Sequence, residues 1–149
     1  MEPNALIRST YQLTAEAADL MIHSCRKAAE ALGVAVNIAV VDDAGHLIAF
    51  FRMDQAPILS IEIAQNKAYT AVAFGKPTAE WYPMIAEEPA LLHGIVHTPR
   101  LVIFAGGIPV RIGTRTAGAV GVSGGTADQD AAIAEAGVRA LQDLVGRIG

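Results

Sequence analysis

Two apolar runs separated by three turn-forming residues constrain this chain more than any other feature. Residues 34–42 (VAVNIAVVD) are rich in β-branched side chains, and residues 46–53 (HLIAFFRM) are apolar again. Asp43, Ala44 and Gly45 between them have the chemistry of a short reverse turn, so the two runs are expected to pair antiparallel. Nearly every side chain in both is apolar, which predicts that both faces of their sheet are covered, at least in part.

The flanking segments read as helices. Residues 14–32 have Thr14 as a predicted N-cap and Gly33 as a C-terminal stop. Ala17, Ala18, Met21, Ile22, Cys25, Ala28, Ala29 and Leu32 fall on one stripe, with Asp19, His23, Lys27 and Glu30 opposite. That places the single cysteine as a buried, inert thiol. Pro57 opens a second helix that Gly75 and Pro77 close. Its stripe of Ile58, Ile61, Ala64, Ala68 and Val72 should face the sheet. Leu59, Ile63 and Phe74 lie on the far side, so the helix is expected to be covered twice, the second time by another copy of the chain.

Residues 76–99 hold four of the seven prolines, so helix there should be short or kinked at Pro83. Three strand-like runs follow, RLVIFAG, IPVRIG and TAGAVGVSG, and then a helix from Thr126 with Ile133, Leu141, Leu144, Val145 and Ile148 near one face. The order predicts an α+β fold, one domain over residues 1–149, with a five-stranded, mostly antiparallel sheet flanked by helices. No strand–helix–strand alternation calls for a parallel fold.

Only 17% of residues are charged, the net charge is -4 and no basic cluster appears, which argues against nucleic acid as a partner. No apolar run approaches the roughly 20 residues of a membrane span. The first residues lack the pattern of a secretory signal, and a single cysteine suits a reducing compartment, so a cytoplasmic location is expected. The glycine-rich stretch 118–130 (GAVGVSGGTADQD) suggests a phosphate loop at first sight. However, Thr126 and Gln129 have capping-box spacing, Asp128 and Asp130 would repel a phosphate, and neither nucleotide-binding signature is matched. The glycines are read instead as a sharp strand-to-helix turn with close backbone approach, and no nucleotide is expected.

Four segments together resemble a known family: IAVVDDAGHLIAFFRMDQA, SIEIAQNKAYTAVAFGKPT, FAGGIPVR and GAVGVSGGTADQDAAIAEAG. They are similar to the GlcG/HbpS family, the small haem-binding or haem-degrading domain that also forms the C-terminal part of PduO-type corrinoid adenosyltransferases. The resemblance runs from about residue 14 to residue 145. It implies a five-stranded antiparallel sheet, assembly from dimer to octamer, and haem or iron binding in some members, while others sit among catabolic enzymes. Two departures stand out: IGTRT at 112–116 replaces the family's usual turn, and the 84–99 segment carries two histidines.

The chemistry-bearing residues support two functions. In the first, an oligomeric protein binds a small ligand, haem or a similar flat carboxylate-bearing molecule, with Arg52, Lys67 or Arg111 on the carboxylates and Ser123 and Gly124 beside the turn. His93 and His97, at i and i+4, suit a metal or an axial position on haem iron, or are loop histidines bonded to backbone. In the second, a catabolic isomerase, hydrolase or lyase acts on a small carboxylate through Lys67 with Glu62 and Asp54. Lys67 lies among apolar neighbours in mid-helix, so an anionic partner is expected: Glu62, Asp42, Asp54 or a ligand. Ser123 has no G-x-S-x-G context, which argues against a serine hydrolase.

Overall fold

In the computed structural model, which describes residues 5–146, the predicted turn forms the centre of a hairpin. Strands β1 (Asn37–Asp42) and β2 (Leu47–Arg52) pair antiparallel. The turn is held by Asp42, whose Oδ1 accepts from the backbone N–H of Ala44 and of His46, each at 2.9 Å. Helix α1 (Ala15–Leu32) precedes the hairpin, capped by Thr14 and ended by Gly33 in the left-handed region. Helix α2 (Leu59–Phe74) follows it. A 3-10 turn over Thr78–Glu80 runs into the short α3 (Trp81–Ile85), then α4 (Pro89–Gly94) and a second 3-10 turn, Ile95–His97. Strands β3 (Gly107–Ile112) and β4 (Arg115–Ser123) complete the sheet, and α5 (Ala127–Val145) ends the described chain. Ile148, expected on the apolar face of this last helix, lies outside the described residues.

The sheet has four antiparallel strands in the order β2-β1-β4-β3, not the five expected. The run RLVIFAG is the one that fails to become a strand. Its backbone is held elsewhere: the Thr70 hydroxyl donates to Arg100 O and accepts from Val102 N–H, at 2.9 and 3.0 Å. A β-branched apolar composition marks a run that fits a covered sheet, and here side-chain contacts to α2 override it. The irregular segment ends at Gly106, and Gly107 N–H, at the start of β3, donates to the Thr78 hydroxyl at 2.9 Å.

The two sheet faces are covered differently. Ile38, Val40, Val110, Val120 and Val122 face α1 and α5, packing with Met21, Cys25, Ile133 and Leu141. Cys25 is fully buried as expected. Ala39, Val41 and Ala119 face α2, which presents Ala64, Ala68, Ala71 and Val72. The α2 backbone comes so close that a side chain on Gly121 would meet the Ala64 carbonyl, and one on Gly107 the Lys67 carbonyl. Ala64, Ala68 and Val72 thus face the sheet as expected, but the buried face is wider than the predicted stripe and leaves out Ile58, which precedes the helix. Ile58 is 77% exposed, while Ser60, Lys67 and Thr70 point inward. Small residues, rather than large apolar ones, decide which face lies on a sheet approached this closely.

Candidate functional site

Polar groups gather at one end of the sheet. Arg52 of β2, Asn37 of β1 and Ser123 of β4 stand in register across three strands. Asn37 is fully buried; its amide donates to Pro57 O at 3.0 Å, and its Oδ1 has no hydrogen-bond partner. Ser123 beside it is buried too, and Arg52 is exposed at the sheet edge. Gly124 follows, packed against the Ala35 carbonyl. The next residues form a capping box in which Thr126 and Gln129 exchange both bonds, as the sequence predicts, so the N–H groups of Thr126 and Gln129 are occupied.

Lys67 reaches this end from the other layer. It is 1% exposed, and its Nζ donates to Val122 O and to Asp130 Oδ2, both at 2.9 Å. The second Asp130 oxygen accepts from Gly125 N–H at 2.9 Å. The lysine stem passes Gly106, where any side chain would strike it, and the Phe104 ring lies 5.1 Å from the ammonium. One ion pair thus ties α2, β4 and the start of α5 together across the sheet end. Burial pulls the ammonium below the usual lysine value, and the Asp130 hydrogen bond and charge oppose that pull.

Sequence reasoning anticipated a buried lysine with an anionic partner but named the wrong partner. Glu62 and Asp54 are exposed, and Asp42 is engaged at its own turn. Asp130 was missed because its place in a first helical turn reads as ordinary dipole compensation. Asn37 was missed as well; the signal available was a lone amide inside the run VAVNIAVVD. Of the other expected residues, Asp54 lines a shallow hollow of about 220 Å³ with Arg26, Glu30, Phe51 and Met53. Arg111 on β3 donates to Gly75 O and lines a separate hollow of about 420 Å³ with Glu135 and Arg139. His93 lies in α4 and His97 in the following 3-10 turn, both exposed. The structure therefore joins Lys67, Ser123, Gly124 and Arg52 at one end of the sheet. It places Arg111 and the two histidines elsewhere. Among the described residues no three His, Cys, Asp or Glu side chains gather as a metal site would need, and no helix is long and apolar enough to cross a membrane.

Comparison with known proteins gives this architecture a family. The model for the haem degrading protein HbpS-like family matches residues 13–139. The chain belongs to this family. An uncharacterised 15.0 kDa protein from the dhaT-dhaS intergenic region of Citrobacter freundii is 38% identical over 134 residues, which cover 89% of this chain and 94% of that protein. Protein GlcG of Escherichia coli K12 is 36% identical over 111 residues, covering 74% of this chain and 81% of GlcG. Among solved structures, the PduOC:heme complex superposes with a TM-score of 0.80 at 30% identity, covering 87% of this chain and 94% of that one.

Proposed function

We propose that this HbpS-like protein binds haem, or a comparable flat carboxylate-bearing molecule, and does so as a self-associated assembly. The observation that carries the reading is the match, over most of both chains, to a PduOC structure solved with haem. The residues present fit the group. The segment from α4 through the 3-10 turn exposes Leu91, His93, Val96 and His97 together, an apolar surface with two imidazoles that no described hydrogen bond engages. Such a surface suits a flat apolar macrocycle whose iron takes an imidazole. When bound, haem would supply the redox chemistry of its iron. Of the cations proposed for the ligand carboxylates, Arg52 and Arg111 are exposed, on different strands, and Arg111 already donates to Gly75 O. Lys67 already holds Asp130, so its part is to fix the junction beside Ser123 and Gly124 rather than to meet the ligand first.

Self-association rests on α2. Ile58 and Leu59 at its start and Phe74 at its end are exposed, which is an apolar outer surface next to a face already packed on the sheet. Haem titration of the purified protein should give a saturable Soret shift, and His93→Ala or His97→Ala should change its position or intensity. No shift at all would end the haem reading; an unchanged spectrum in both variants would remove the two histidines.

A second reading, a catabolic enzyme acting on a small carboxylate, is favoured by one observation: a buried lysine–carboxylate pair beside an amide oxygen without a partner. In that case Lys67 would act as base or nucleophile, with Glu62 and Asp54 as outer carboxylates. Lys67→Met should then abolish turnover far beyond any change in binding. A variant that turns over like the parent would leave Lys67 a purely structural residue.

A further inference from the structure

We propose that the hollow between the C-terminal half of α2 and the segment 95–101 is a binding site for a small carboxylic acid with an aromatic or branched apolar body. The chain has one tryptophan, three tyrosines and four phenylalanines. The tryptophan and one of each other kind, Trp81, Tyr69 and Phe74, surround this one space. Ile95 and Leu101 complete its apolar wall, and no charged side chain lines it. The Phe74 and Trp81 rings pack at 4.5 Å between centroids with an interplanar angle of 44°, which fixes two of the walls. The Thr70 hydroxyl, bonded to both Arg100 O and Val102 N–H, holds the opposite wall in place. The site is therefore formed before any ligand arrives.

Size and polar groups define the occupant. The hollow holds about 240 Å³, below the roughly 300–1,000 Å³ of sites for drug-sized ligands, so the body is one ring or a short branched chain. Haem does not fit within it. The Trp81 indole N–H is buried and has no acceptor among the described residues, although Trp81 is only 6% exposed. Between the lining residues Pro99 and Leu101, Arg100 adopts a left-handed backbone conformation (φ 67°), and its guanidinium stacks at 3.8 Å on the ring of Tyr69, which lines the hollow. Its Nε donates to Asn66 Oδ1 at 3.2 Å, the one hydrogen bond its side chain makes among the described residues. A planar guanidinium held by stacking, with terminal N–H groups to spare, suits a carboxylate beside an apolar hole. The uncharged interior and the neighbouring cation together select an anion with an apolar tail over a cation or a sugar.

Both surfaces use the 3-10 turn Ile95–His97, but the side chains that line this site are none of those on the histidine surface, and the site stands independently of the haem reading. Because Trp81 is the only tryptophan, its fluorescence reports occupancy directly. Titration of the purified protein with phenylacetate should give a saturable change, confirmed by calorimetry. The neutral phenylacetamide should bind more weakly. Arg100→Gln should weaken phenylacetate about tenfold, the worth of a charged hydrogen bond, and change phenylacetamide little. Ala73→Leu, at a helix-surface position lining the hollow, should fill it and abolish both signals without loss of fold. His93→Ala/His97→Ala should leave phenylacetate binding intact even where haem binding is lost. Absence of any saturable signal in both methods would overturn the site. Unchanged binding in Ala73→Leu would overturn its location, and equal loss of both probes in Arg100→Gln would overturn the carboxylate assignment.

Discussion

The two faces of the sheet solve the same packing problem in opposite ways. Toward α1 and α5 the strands present valines and isoleucines, and the helices answer with Met21, Ile133 and Leu141. Toward α2 they present alanines and glycines, and the helix backbone itself forms the contact. The first face gains stability from apolar area, which tolerates modest changes of shape. The second gains position: a helix seated on backbone cannot shift, and it delivers the Lys67 ammonium to within hydrogen-bond reach of Asp130 across the sheet end. A large-residue face is robust and imprecise, whereas a small-residue face is precise and brittle.

That contrast breaks most severely at the ion pair. Asp130→Ala should destabilise the fold by about 3–5 kcal/mol, because Lys67 would be left buried without a counter-charge. Chemical denaturation of this variant beside the double variant Lys67→Met/Asp130→Leu checks it, and the double variant should recover most of the loss. Next in size is Gly121→Ala. Its new methyl would meet the Ala64 carbonyl and Ala68 nitrogen, atoms that cannot turn aside as a side chain can, so a loss of about 3 kcal/mol is expected. If thermal unfolding shows Gly121→Ala to be neutral, the close seating of α2 is not what holds it.

The α1–α5 face should show gentler effects. Cys25 lies in that core, and burial pushes its thiol up from 9.0 to about 12, against a small opposing pull from the Gly137 backbone. A raised acid value means the folded state keeps its proton while the unfolded state loses it. The contribution is therefore full below pH 9 and is lost as pH rises from there toward 12. At pH 10 the loss should be about 1.4 kcal/mol relative to pH 8, and a Cys25→Ala background should flatten that part of the slope. The same burial should keep native Cys25 unreactive toward thiol reagents until the chain unfolds. Smallest of all, Ile133→Val should cost about 1 kcal/mol by equilibrium unfolding. A loss as large as that of Gly121→Ala would erase the distinction between the two faces.

Local devices were legible from sequence, whereas depth and long-range partnership were not. The hairpin turn, the Thr14 cap, the Gly33 stop and the Thr126–Gln129 box are each determined by neighbouring residues, and each formed where residue chemistry placed it. The fifth strand failed because the choice lay with a threonine hydroxyl some thirty positions away. Lys67 could be recognised as a buried cation in need of an anion. Its partner lies 63 residues further on, and Asp130 in a first helical turn looks identical whether it faces water or the core. The aromatic hollow was hidden for a related reason: Tyr69, Phe74 and Trp81 share no periodicity, and only the course of the chain after Gly75 brings them together.

One edge of the sheet carries a further consequence. Along β3, alternate backbone nitrogens face outward, and Gly107 is one of these, its N–H already taken by the Thr78 hydroxyl. Pro109, two residues on, shares that direction and has no N–H to offer. The outer margin of β3 thus lacks two successive free donors that a docking strand would need. Ribbon-to-ribbon growth, the route by which sheet proteins polymerise or exchange strands, is closed on that side. A strand from any neighbouring molecule would find no ladder of donors along that margin, and contact there would fall to side chains.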